Sequence, residues 1–359
     1  MNPVLTSVAN PCFISVMARE HNELLTDLLK AVSRSFYLTL RVLPKSIRPQ
    51  IGLAYLLART TDTIADTEIV GVEERLQMLH ALREPILGPS VVPLNFGQLA
   101  QKQSLPAERV LLEKCEASLA LLQAQSDLDK KLIREVLDII TSGQELDLKR
   151  FGNPETGKLT ALQSDAELDD YTFRVAGCVG QFWTRICLAH QFSTSVTTLP
   201  SFEELGVRFG KGLQLVNILR DIPADLAKSR CYIPSEKLQA IGLTPADLLR
   251  PENEPKFRPL YNKYLDLAES HLAAGWEYTN LIPFSQMRVR LACAWPILIG
   301  LQTLARLRTG NVLDSKQRIK IGRRDVRGIL LRSVFYYPFP YSWRRLGTSK
   351  PVAISPVLS

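Results

Sequence analysis

Two pairs of carboxylates set the chemical question: Asp62 and Asp66 in RTTDTIADTE, and Asp221 and Asp225 in NILRDIPAD. The members of each pair are four residues apart, so on a helix both carboxylates leave one face within reach of a shared cation. Like charges at that spacing cost about 0.2 to 0.5 kcal/mol. The Leu, Ala and Tyr residues that precede the first pair gain nothing structural from it, and a divalent cation would account for it. One DxxxD alone is more often a solvated helix face. The second copy again follows an apolar stretch and again has an arginine just upstream, Arg220 as Arg59 before it. Mg²⁺ keeps several waters and completes its shell with phosphate oxygens. Two facing pairs with two or three Mg²⁺ ions, beside arginines, therefore describe a diphosphate site. The chemistry that needs such a site is ionisation of an allylic diphosphate against a wall that keeps water from the carbocation. Tyr55, Phe36, Tyr171, Phe173 and Phe182 are candidates for that wall, with plain core packing as the alternative for each.

The elements that must position these residues are helices. Leu, Ala, Arg, Glu and Gln fill long stretches and only 19 Gly are present, a helix-forming composition. Apolar spacing of three and four predicts helices over 18–29, from near Arg48 through Ile64, and over 107–124, 129–148, 168–192, 202–222, 259–281 and 287–307. Pro85 to Pro93 reads as a loop, and Asn153 to Gly157 breaks the pattern. Pro223 lies between the second pair of aspartates; it removes a backbone donor, so the helix is expected to kink or end there. No alternating run is long enough for a sheet. The expectation is an all-α chain: an extension at 1–17, one domain at 18–335, and an aromatic, basic tail at 336–359.

With 359 residues, 46% of them apolar, the chain can bury a large core, which excludes a disordered chain or a disulfide-stapled miniprotein. The longest strongly apolar run, Leu291 to Leu301, is interrupted by Pro296 and is too short to span a bilayer. No basic segment precedes the weakly apolar start, so a cytoplasmic location is expected. The six cysteines form no CxxC pair and read as reduced packing residues, and the four histidines show no ligand spacing. Of the formal charge of +8, the segment Arg288 to Arg332 holds eleven Lys or Arg against Asp314 and Asp325. That excess implies an anionic partner, against a merely solvated basic face. Together with FYYPFPYSWRR at 335–345 it suits peripheral contact with an anionic membrane, Trp343 and the tyrosines taking the interfacial zone. Aromatics do not interleave with these charges, so no nucleic-acid partner is expected.

The stretches SRSFYLTLRVLP, YLLARTTDTIAD, YTFRVAGCVG and LQLVNILRDIPADLAKSRCYIP resemble, in order and spacing, the squalene and phytoene synthase family of head-to-head prenyltransferases. The resemblance covers residues 18 to 332. It implies an isoprenoid-synthase helical bundle around a central cavity, with Mg²⁺ at Asp62, Asp66, Asp221 and Asp225. Two prenyl diphosphates would condense there through a cyclopropyl intermediate. By position, the resemblance makes Arg34, Arg59 and Arg220 diphosphate contacts and puts Gln214 and Asn217 beside the second metal site. Tyr55 falls on the substrate wall, and Arg230 and Tyr232 in the flap after the second motif. Tyr171 is similar to the family tyrosine assigned to proton removal or cation stabilisation during cyclopropane formation, on a helix where Gly177 and Gly180 allow close approach. Ala65, Thr67 and Ala224 stand where some members carry further acids, leaving fewer metal-binding oxygens.

Within the family the cofactor decides the product. No GxGxxG fingerprint is present, but QRIKIGRR at 317–324 resembles the squalene-forming branch, and extended it would present Arg318 and Lys320 together to a phosphate of NADPH. CAWPILIGLQTL resembles the same branch. The resemblance thus implies reduction of presqualene diphosphate to squalene from two farnesyl diphosphates. Phytoene or dehydrosqualene synthesis without reduction, or release of presqualene diphosphate, are the alternatives. Some relatives of the fold that lost their acidic motifs act as assembly proteins; retention of all four aspartates favours an enzyme.

Overall fold

The computed structural model describes residues 23–33, 36–88, 93–94, 96–152, 159–193, 199–316 and 319–347. Ten helices carry the argument: α1 (Arg48–Asp66), α2 (Val72–Leu87), α3 (Asp127–Phe151), α4 (Asp165–Thr172), α5 (Cys178–His190), α6 (Leu199–Leu226), α7 (Glu254–Leu281), α8 (Met287–Leu307), α9 (Arg323–Tyr336) and α10 (Pro340–Leu346). Shorter helical segments join them. The fold is all-α, as the composition and the resemblance imply, and among the described residues its strands amount to a two-residue parallel pairing of Thr160–Ala161 with Arg230–Cys231.

Local chemistry fixes the helix ends. Ser126 accepts a hydrogen bond from the Asp129 amide to cap α3, whose first turn carries Asp127 and Asp129 and whose last carries Lys149 and Arg150. Both charge sets oppose the helix dipole favourably. The helix expected over 107–124 is two, Pro106–Glu113 and Cys115–Gln123, broken at Lys114. The stretch expected over 168–192 is helical throughout but changes to a π-turn at Phe173–Gly177 between α4 and α5. α2 also continues through Pro85 to Leu87 where a loop was expected. The described cysteines, Cys115, Cys178, Cys187, Cys231 and Cys293, are all buried and free.

Pro223 is the instructive departure. α6 passes through it to Leu226 instead of ending, and Ala227 N–H still reaches the Pro223 carbonyl at 3.1 Å. Proline cannot donate to the carbonyl four residues back, Leu219. The buried Tyr261 hydroxyl donates to that carbonyl instead, at 3.0 Å. A tertiary donor from α7 thus satisfies the carbonyl that Pro223 leaves without its helical partner, and Asp225 stays one turn beyond Asp221.

α6 is the central helix, packed on α7, α5 and α8, while α1 packs on α3. The α5–α6 seam is closed by glycine. A methyl group on Gly180 would lie 1.8 Å from the Gly206 carbonyl oxygen, and one on Gly210 would lie 2.1 Å from that of Ala176. Backbone cannot yield as a side-chain tip does, so Gly180→Ala must push two helices apart. We expect a loss of about 3 kcal/mol in denaturant unfolding, at the upper end for overpacking. Gly328→Ala on α9, where a methyl group meets nothing within 4 Å, should instead be neutral or gain about 0.5 to 1 kcal/mol.

His271 of α7 stands where Gly212 of α6 comes closest, and a methyl group on Gly212 would meet it at 3.0 Å. Burial, with Arg208 and Lys211 nearby and only Asp169 opposing them, pushes its pKa down from 6.5 to about 4. The folded state therefore resists a proton that the unfolded chain accepts. Stability should be full above pH 6.5 and decline as pH falls toward 4, by roughly 1 to 2 kcal/mol after allowance for partial exposure. His271→Gln should flatten that part of the acid limb in urea melts at stepped pH.

Candidate active site

A cavity of about 670 Å³ opens between α1, α3, α5, α6 and α8. Each helix meets it with one stripe of residues at helical spacing. From α1 come Tyr55, Ala58, Arg59, Asp62, Ala65 and Asp66, and from α6 Phe209, Leu213, Gln214, Asn217, Asp221 and Asp225. All four predicted aspartates therefore line one volume. Both pairs also sit in the last two turns of their helices, where the dipole is negative and a further anion is unfavourable.

The electrostatics record that cost. Burial, reinforced by Asp66, pushes the Asp62 carboxyl up to about 6. Its side chain is 40% exposed, but into a cleft walled by protein, so it is less well hydrated than that figure implies. Burial and then Asp221 push Asp225 up to about 7. Arginines hold the set: Arg59 bridges Asp62 and Glu108, the latter at 2.5 Å, and Arg230 lies 3.6 Å from Asp66. Arg220 forks onto both oxygens of Asp221 at 3.0 and 2.5 Å. Arg220 is not among the residues lining the cavity, unlike the diphosphate contact that the resemblance implies. Adjacent residues on a helix diverge by about 100°, so the neighbour of an inward-pointing aspartate runs along the rim.

Tyr171 lies in the cavity wall, buried, its ring stacked on Tyr232 with centroids 4.7 Å apart. Tyr232 in turn donates to Asp147 Oδ2 at 2.9 Å, and Arg230 stands 3.7 Å from the same oxygen. Burial first, then Tyr232, keeps the Tyr171 phenol well above its ordinary pKa, so it is a neutral hydroxyl at physiological pH. Burial pushes Asp147 up to about 6, with the charge of Asp66 adding to it and Arg230 and Tyr232 pulling back. Ser229, with φ of +60°, is the left-handed turn after α6 that returns the chain to the two-residue strand Arg230–Cys231 and places Arg230 at the cavity.

Sequence reasoning missed Asp147, Glu108, Lys228, Trp183, Phe209 and Tyr278, all but Glu108 in the cavity wall, where Tyr232 of the flap also lies. Phe209 and Leu213 were recoverable by extending the stripe of Asp225, Asp221, Asn217 and Gln214 backward along α6. Asp147, Glu108 and Tyr278 carry no such signal. Of the aromatic wall candidates, Phe36, Tyr55 and Tyr171 line the cavity, and Phe36 stacks on Tyr55 at 4.9 Å. Phe173 and Phe182 do not; Phe182 is core, and Phe173 lies under Lys211. Arg34 and Arg318 lie outside the described residues. Lys320 is exposed, away from the cavity wall, with its carbonyl accepting from Arg306.

Among the described residues no three acidic, His or Cys groups converge as a ready-made metal cage. The donor set still fits Mg²⁺, which needs only one or two carboxylates when phosphate and water supply the rest. It is all oxygen and carries excess negative charge. Asp147 Oδ1 and Gln144 Oε1 in the wall are also buried without a protein donor. Among the described residues no comparable feature speaks for NADPH.

The chain is similar to known proteins in sequence and in fold. The squalene/phytoene synthase family matches residues 29–325. The chain is 27% identical to squalene synthase of Saccharomyces cerevisiae over 297 residues, 82% of this chain and 64% of that one. It is 31% identical to presqualene diphosphate synthase of Zymomonas mobilis over 246 residues, 68% of this chain and 71% of that one. It spans from 32 to 64% of the length of the first curated relatives it matches. In three dimensions it is similar to TcSQS solved with a ligand, with a TM-score of 0.70 at 21% identity over 93% of this chain and 92% of that one, a likeness of fold.

Proposed function

Since the chain belongs to the squalene/phytoene synthase family of head-to-head prenyltransferases, we propose that it joins two prenyl diphosphates through a cyclopropylcarbinyl diphosphate and finishes without a hydride donor. Its products would then be those of a phytoene, dehydrosqualene or presqualene diphosphate synthase. The observation that carries the condensation is the two-ended cavity. Four aspartates with Arg59, Lys228 and Arg230 line one part of it, and Trp183, Phe209, Tyr278 and Cys293 line another. Support for the non-reductive ending comes from the 31% identity to a presqualene diphosphate synthase and from the position of Lys320 away from the cavity wall.

Asp62, Asp66, Asp221 and Asp225 are the residues that would hold Mg²⁺, whose bound charge would neutralise the departing diphosphate. Arg59, Arg230 and Lys228 bind and orient the diphosphate, and Arg220 keeps Asp221 aimed. The C1–O bond of one substrate breaks with its electron pair leaving on diphosphate. The aromatic wall excludes water while the double bond of the second chain attacks that carbon. Loss of a proton closes the three-membered ring, and the neutral Tyr171 hydroxyl relays it, taking it up as its own proton passes by way of Tyr232 to the Asp147 carboxylate.

A second reading, reduction by NADPH to squalene, is favoured by the 27% identity to the yeast squalene synthase across 82% of the chain. Incubation with farnesyl or geranylgeranyl diphosphate and Mg²⁺, with and without NADPH, separates the two. The proposal expects the same product in both arms. Squalene formed only with NADPH would replace it by the second reading, and consumption of neither substrate would remove both.

A further inference from the structure

We propose that the outer side of α9, the turn that follows it and the start of α10 form a docking face for an anionic lipid bilayer. Five side chains there are apolar or aromatic and exposed: Leu331 by 72%, Val334 by 44%, Phe335 by 68%, Phe339 by 54% and Tyr341 by 74%. Leu331, Val334 and Phe335 are three and four apart, one stripe of α9. The opposite side of the helix is committed to the body. Ile329 and Ser333 are buried, and Ser333 Oγ accepts from Trp295 of α8 at 2.9 Å. The helix thus has a packed inner face and a second apolar face turned outward, which a helix solvated on its outer side would not need.

Charge selects the occupant. Lys320, Arg323, Arg324, Arg327, Arg332, Arg344 and Arg345 are all exposed around this stripe. Asp325 is the one acid within 319–347, and Arg306 neutralises it at 2.5 Å. An apolar stripe fringed by cationic side chains is the composition of a helix lying in the headgroup region of an anionic leaflet. The aromatic anchors differ from those the sequence suggests. Trp343 is buried against Trp276, ring centroids 5.2 Å apart, and its indole N–H donates to Asn280 at 2.9 Å. Tyr337 is buried as well. Trp343 therefore fastens α10 to the body, and Phe335, Phe339 and Tyr341 are left to meet lipid. α9 packs on α8, and α8 supplies Ala292, Cys293 and Pro296 to the cavity wall. The docking face is thus one helix away from the apolar part of the cavity.

Co-sedimentation of the full chain with phosphatidylcholine vesicles, with and without phosphatidylserine, at low and high salt tests this without reference to the reaction. The wild type should pellet with anionic vesicles at low salt and be released by high salt, since screening shortens the reach of exposed charge. Leu331→Asp/Phe335→Asp should lower vesicle affinity at least about tenfold, as expected when buried apolar area sets binding strength. Circular dichroism and Tm should be unchanged, because both side chains are exposed. Arg323→Glu/Arg324→Glu should weaken anionic but not neutral binding. The proposal is overturned if the wild type stays in the supernatant with anionic vesicles at low salt, or if the Asp variant pellets like the wild type. It is also overturned if the wild type is a dimer without lipid and the Asp variant dissociates it, which would assign the face to a second copy.

Discussion

Asp221→Asn should lower turnover of prenyl diphosphate at least about a hundredfold, in line with the loss of a preorganised electrostatic group, and Asp62→Asn should do the same. The accompanying stability result separates this from a structural role. If the ion pairs of Asp62 with Arg59 and of Asp221 with Arg220 existed to hold the fold, removing a carboxylate would lower Tm. Here each aspartate stands four residues from a second one at the negative end of a helix, and Asp62 is raised to about 6 by burial and Asp66. Asn therefore removes repulsion along with the ion pair, and Tm should hold or rise. Excess chelator should also abolish activity in the wild type. Wild-type turnover in either variant, or full activity in chelator, would contradict the role assigned to the pairs.

Tyr171→Phe keeps the ring that stacks on Tyr232 and deletes only the hydroxyl. If that hydroxyl relays the proton lost on ring closure, the first condensation should slow at least about a hundredfold, the usual size of a general acid-base contribution. Substrate binding should change little, because the diphosphate contacts Arg59, Lys228 and Arg230 are untouched. Rapid-quench measurement of the cyclopropyl product against a filter-binding Kd resolves the two. An unchanged first-step rate would return Tyr171 to the wall as a packing residue.

The all-α fold, the interior helix α1 and the bounds of α8 were legible because apolar spacing is a local property and the Asp pairs interrupt it with charge. The path of α6 through Pro223 was not, since the hydroxyl that satisfies Leu219 comes from Tyr261, 42 residues downstream. Asp147 looks like any acid on a partly exposed helix face until Tyr232 and Arg230 close over it. Glu108 reads as an ordinary first-turn acid until Arg59 meets it. Trp343 looks interfacial in FYYPFPYSWRR, and only the packing of α10 on Trp276 shows that it is core. In each case the deciding partner lies far away in the chain.

Single-turnover rapid quench of the enzyme with labelled farnesyl diphosphate and Mg²⁺, without NADPH, reads the central step directly. A cyclopropylcarbinyl diphosphate should appear first, with one diphosphate released for every two substrates consumed. Prenyl alcohol, a head-to-tail product, or diphosphate released one for one without a new carbon–carbon bond would contradict head-to-head condensation in this cavity.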